Sequence, residues 1–191
     1  MKNRKVYVTT FCGVAVAMNI VLGIITSALG IPLYLDTLGT VLSAAILGPV
    51  PGIIVGALSN IITGLIYSVS DIPFCLVNMA VGLIVGLVAH KIAKINESTD
   101  KKYVFKWSVI ASIAGLAFNV IADPIVGYFY KQYILGQPQK LAEALAKMSA
   151  AATFVNAVVS VILVAIIYNA VRPVLIKSHL LTVTKKKEQT A

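Results

Sequence analysis

The chain has 191 residues, 59% of them hydrophobic and 12% charged, with a formal net charge of +9. This is far too apolar for an ordinary soluble domain, and no hydrophilic stretch is long enough to fold alone, so the sequence reads as a single integral membrane domain. The positive charge is confined to short flanking segments, which points to anionic lipid headgroups and sets nucleic-acid binding aside.

In chain order, the first predicted helix covers 6–29, enough to cross the hydrocarbon layer at ~1.5 Å rise per residue. Basic residues precede it and Ala15-Val16-Ala17 resembles a signal-peptidase step. The apolar run is nevertheless too long for a signal-peptide core, so it is read as a mature helix. Gly13 and Ala17 form a small-xxx-small pair suited to close contact with another helix, in this chain or in a partner. Asn19 is expected to satisfy its amide on a neighbouring helix.

The stretch 31–71 predicts a hairpin with its inner turn at 48–52, the Gly-Pro-Val-Pro-Gly corner, and with Asp36 and Asp71 at its outer ends. Its first arm, 34–47, spans only ~20 Å of the ~30 Å required, so it must be tilted, shielded by protein or set in a thinned bilayer. Its second arm, 52–67, carries Gly52, Gly56, Asn60 and Gly64 at four-residue spacing, a face along which backbones can approach. A fourth helix follows Asp71-Ile72-Pro73, carries Asn78 and the Gly82-xxx-Gly86 pair, and ends near Ile92. After a charged inner loop at 91–106, helix five covers 103–130 with a kink expected at Pro124. The polar segment 131–147 is expected outside the membrane and helical from Leu141. Helix six covers 148–171, carries Asn156 and is expected to stop at Arg172-Pro173.

The predicted architecture is therefore all-α: a six-helix membrane domain at 1–176 and a basic tail at 177–191, containing Lys185-Lys186-Lys187 and expected to be disordered. Of the 16 Lys and Arg, all but Lys131, Lys140 and Lys147 fall on one side of this arrangement. That asymmetry places both termini in the cytoplasm of a multi-pass plasma-membrane protein. No internal repeat is apparent, which argues against inverted-repeat transporter folds. Cys12 and Cys75 lie near opposite faces, so no disulfide is expected and packing is their reading.

Polar residues within the spans carry most of the functional information. Asp123 lies in an apolar run with Asn119 one helical turn before it, a carboxylate and an amide on one face that suit an ammonium, amidine or amino-heterocycle. The alternative is a carboxylate bonded to backbone groups freed by Pro124. Asp36 and Asp71 are each also placed to cap a following helix, and Asn60, Asn78 and Asn156 are placed for interhelical bonding. All three carboxylates, with Asn78 and Asn119, map to the outer half, together with Tyr34, Tyr67, Phe74, Tyr128, Phe129, Tyr130 and Tyr133. Those rings are either an interfacial belt or stacking walls for a flat ligand. The candidate substrate-binding set is Asp123, Asn119, Asp36, Asn78, Asp71, Tyr34, Phe74, Tyr128 and Asn156. His90 and His179 lie at the inner ends, away from the carboxylates. With no nucleophile–base pair, nucleotide loop or metal-ligand spacing, the expectation is a non-enzyme without a metal or cofactor of its own.

The hairpin segment LDTLGTVLSAAILGPVPGIIVGALSN, the helix-four entry FCLVNMAVGLIVGLVAHK and the Gly13/Ala17 pair resemble the S component of energy-coupling factor (ECF) vitamin transporters. That resemblance implies an outward-facing pocket built by helices four to six and covered by loops, including the one after helix one. It also implies that Gly13 and Ala17 contact a transmembrane T component and that two ATPase subunits supply the energy, so ATP is used by partners only. The family often has alanines at that pair; this sequence has Gly13 at the first position, and glycine preserves its smallness. The acidic, aromatic rim suggests an amine-bearing heterocycle, thiamine-like or pyrimidine-like. A membrane sensory or scaffolding module without transport is the alternative.

Overall fold

The computed structural model describes residues 2–30 and 33–177, and among these every regular element is helical. The elements are α1 (Lys2–Ala28), α2 (Leu38–Leu47), α3 (Pro49–Ile66), α4 (Cys75–Leu87), α5 (Lys101–Phe129) and α6 (Gln139–Lys177). A 3-10 segment, Val69–Phe74, leads into α4, and π turns at Val88–Ile92 and Tyr130–Ile134 end α4 and α5. Most of the tail assigned to 177–191, including the lysine run and His179, lies outside the described residues.

Five segments are long and apolar enough to cross a membrane: α1, α3, α4 with its flanking turns, α5 with its π turn, and α6. Helix α2 differs from all of them. At ~1.5 Å per residue its ten residues reach about 15 Å, half a hydrocarbon layer. Every residue from Leu38 to Ile46 is buried, so the short helix is enclosed by the longer ones and faces protein on all sides.

The hairpin corner is tighter than the sequence suggested. α2 ends at Leu47 and α3 begins at Pro49, so Gly48 alone makes the reversal, at φ 108°. That left-handed backbone is open to glycine and strained for other residues. Pro49 and Pro51 fall in the first turn of α3, where helical N–H groups have no intrahelical partner and a missing one costs nothing. The glycine face of α3 then meets α4 at backbone contact. A Cβ on Gly56 would stand 2.5 Å from the Asn78 carbonyl oxygen, and one on Gly82 would collide with the Gly52 backbone. Across the same seam Asn78 donates to Asn60 Oδ1, and Asn60 donates to the Asp71 carbonyl at 3.3 Å. Asn19 joins three helices: its amide donates to Thr40 Oγ1 at 3.0 Å and Ser59 Oγ at 2.9 Å, and its oxygen accepts the Gly39 N–H at 2.6 Å.

At the C-terminal end of α2, beside this corner, one expectation is corrected. α6 does not stop at Arg172-Pro173 but runs on to Lys177, with Pro173 inside it. Arg172 is 7% exposed, and its guanidinium donates to the carbonyls of Ile95 and Ser98. A basic residue at the end of an apolar run reads as interfacial, but here the loop after α4 leaves carbonyls that need a donor, and Arg172 supplies it. In the same cluster Tyr168 donates to Asn96 Oδ1 at 2.7 Å, Asn96 donates to the Ile46 carbonyl at 2.8 Å, and His90 Nε2 lies 3.1 Å from the Ala45 carbonyl. The last carbonyls of α2, unpaired within the helix, are thus met by side chains from other elements. After α5 the π turn runs to Ile134, and α6 begins at Gln139, two residues before the helical start expected at Leu141. Both cysteines are free.

Candidate functional site

The end of the bundle opposite Arg172 holds a cavity of about 930 Å³. Its walls come from α1 (Asn19, Gly23, Ser27), the 33–37 segment, α3 (Ser59, Asn60, Thr63), the Asp71–Phe74 turn, Asn78, one face of α5 and the first half of α6. Volumes of ~300–1,000 Å³ are typical of sites that enclose a small organic ligand.

Eight of the nine residues singled out from the sequence line this space: Asp123, Asn119, Asp36, Asn78, Asp71, Tyr34, Phe74 and Asn156. Tyr128 does not; its ring packs edge-on against Phe129 with centroids 5.5 Å apart. Of the other aromatics, Tyr67 and Tyr130 reach the lining, whereas Phe129 stacks on Tyr133. The walls also extend beyond helices four to six, since α1 and α3 contribute to them.

The carboxylates are held differently from one another. Asp123 Oδ2 accepts from Ser149 Oγ at 3.1 Å and Thr153 Oγ1 at 3.0 Å, so α6 holds it by side-chain hydroxyls. Ser149, Thr153 and Asn156 form a polar stripe along α6, and the first two escape a reading of the sequence because their partner, Asp123, lies on another helix 26 and 30 residues earlier. Neither Asp36 nor Asp71 caps a helix. The residue preceding α2 is Thr37 and that preceding α4 is Phe74, and neither terminus has a side-chain cap bond. The Asp36 carboxyl is pushed up to about 7, mainly by burial, then by the negative charge of Asp123 and, to a smaller degree, Asp71, while its own backbone N–H works the other way. Burial, followed by the same field of carboxylates, also raises the Tyr34 hydroxyl. Asn156 serves the loop above it: its oxygen accepts the Leu35 N–H at 2.8 Å and its amide donates to Thr37 Oγ1 at 3.4 Å.

Gly13 and Ala17 lie elsewhere, on the exposed side of α1, and a Cβ on Gly13 would meet nothing within 4 Å. Their side of the helix is turned away from the bundle.

A family model described as ECF-type riboflavin transporter, S component, matches residues 3–173. The chain belongs to that family. No curated protein and no solved structure matches it. As an ECF S component the chain is the vitamin-capture subunit of a transporter rather than an enzyme, and the family implies work with a T component and ATPase subunits.

Proposed function

We propose that this S component captures riboflavin, or a close flavin, in the cavity that holds Asp123 and Asn119, and presents it from the outer side of the plasma membrane to a T component and two ATPase subunits. The observation that carries the reading is the lining itself. Phe74, Tyr34, Tyr67 and Tyr130 offer flat apolar walls, and amides and carboxylates stand between them. A planar ring system with a hydrogen-bonding edge and a polyol chain matches that mixture. The match to a riboflavin S component family supports the same ligand. The outward orientation rests on the lysine and arginine asymmetry, which favours cytoplasmic termini.

A second ligand reading has its own support. Three carboxylates, Asp36, Asp71 and Asp123, line one cavity, and this favours an amine-bearing heterocycle of the thiamine type. One experiment separates the two. Native mass spectrometry of the purified chain, followed by titration in nanodiscs with riboflavin (read by its fluorescence) and with thiamine (read by calorimetry), is expected to show one riboflavin per chain. Retention of thiamine alone would transfer the assignment to the second ligand, and retention of neither would remove both.

A further inference from the structure

Asn119, Asp123, Gly127 and Lys131 follow one another at four-residue spacing, and all four line the cavity. Lys131 begins just after the α-helical winding of α5 gives way to the π turn at Tyr130–Ile134. Side chains on a helix lean toward its N-terminus, so Lys131 lies back along the cavity wall in the direction of Asp123. It passes close over Gly127 at ordinary van der Waals distance. The Lys131 ammonium stands 3.6 Å from the point where a Gly127 Cβ would be, and the Phe74 ring comes within 3.5 Å of the same point. Among the described cavity-lining residues Lys131 is the one basic side chain, and three carboxylates share that lining with it.

We propose that Lys131, laid over Gly127 toward Asp123, tunes the charge selectivity of the cavity: its ammonium offsets part of the carboxylates' negative charge, so an uncharged heterocycle is favoured over amine-bearing cations more than it would be in the same cavity without it. This deepens the flavin reading and rests on it. The physical basis is that a like charge placed beside a binding position discriminates strongly, because the wrong ligand must approach an ammonium in a partly desolvated cavity. Without Lys131 the same carboxylates would attract a cation unopposed.

The test is a titration of the full-length chain in nanodiscs with riboflavin as the uncharged probe and thiamine as the cationic one, on the wild type, Lys131→Met and Lys131→Arg. The wild type is expected to bind riboflavin in clear preference. Lys131→Met is expected to lower the riboflavin-to-thiamine affinity ratio by about tenfold or more, and Lys131→Arg to keep the wild-type ratio. Gly127→Val, which adds branched bulk under the lysine without removing the charge, is expected to move the ratio in the same direction as Lys131→Met. If Lys131→Met binds riboflavin with an unchanged ratio, the selectivity role is wrong while the flavin reading stands. A wild type that fails to bind riboflavin overturns both. A Lys131→Met protein that no longer folds leaves the decision to Gly127→Val, whose unchanged ratio likewise refutes the proposal.

Discussion

Asn156 Oδ1 accepts the backbone N–H of Leu35 at 2.8 Å, across 121 residues of chain, and thereby ties α6 to the segment that runs over the cavity. Leu35 has a φ of 50°, a left-handed conformation that only one other non-glycine residue, Lys94, shares among the described residues. Such a backbone costs a leucine about 1–3 kcal/mol, so it needs contacts that hold it in place. The Asn156 bond is one, and the Thr26 hydroxyl bonded to the Tyr34 carbonyl at 3.2 Å is another.

Removing the first contact should release the segment. Asn156→Ala is expected to accelerate amide exchange at 33–37 and to weaken ligand binding by about tenfold, mostly through faster dissociation. Leu35→Gly should act oppositely on stability, because glycine adopts φ 50° without strain. Hydrogen-exchange mass spectrometry with and without ligand reads both effects, and unchanged exchange at 33–37 in Asn156→Ala would show that the bond holds nothing.

Asp123 is positioned by two hydroxyls, which separates its structural role from its binding role. Asp123→Asn keeps an oxygen that Ser149 and Thr153 can donate to, so the fold should retain its Tm while ligand affinity drops. Asp123→Ala strands both hydroxyls and should also lower Tm, by an amount matching about 1–3 kcal/mol for buried groups left without a partner. If Asp123→Asn binds as the wild type does, the carboxylate charge has no part in recognition, and only the hydroxyl framework matters.

How much of this was legible beforehand depends on whether the signal lies along one helix or between distant ones. Gly52, Gly56 and Gly64 announced a close seam because four-residue spacing is itself the geometry of a helix face, and Asn119 and Asp123 shared a face for the same reason. Arg172 was misread because its partners are backbone carbonyls 74 and 77 residues earlier, which no local pattern encodes. The enclosure of α2 was one of several possibilities left by its length, and only the packing of the surrounding helices selects among them. Lys131 looked like an ordinary interfacial lysine. Its place in the lining follows from the π turn that carries α5 on to Ile134, a departure from regular winding that periodicity does not announce.

The Asp36 carboxyl gives a pH dependence whose sign follows from its environment. Burial, then Asp123 and Asp71, raise it from 3.8 to about 7 in the folded chain. The folded state therefore holds the proton more tightly than the unfolded state, and Asp36 favours folding most at low pH. That contribution is lost as pH climbs from the unfolded value through about 7. The expectation is that the wild-type Tm falls relative to that of Asp36→Asn between pH 5 and pH 8, when both are measured without ligand. A constant difference across that range would mean that the Asp36 environment does not shift its titration.

Two glycines on different helices predict opposite outcomes for the same kind of substitution. A Cβ at Gly82 runs into the backbone of Gly52, and backbone cannot move aside as a flexible side chain can, so Gly82→Ala must push α3 and α4 apart. Loss of packing on that scale belongs with the overpacking range of about 1–3 kcal/mol, and the protein should lose Tm and ligand binding together. Gly13 has open space where its Cβ would be, and it lies on the exposed side of α1 with Ala17. Gly13→Leu should therefore leave Tm and ligand affinity untouched. If that side is the seat of the T component, the same variant should fail to co-purify with the T and ATPase subunits and should support no uptake in cells. Normal uptake by Gly13→Leu would move the partner interface to another face, and a lowered Tm would mean that α1 packs against the bundle on this side as well.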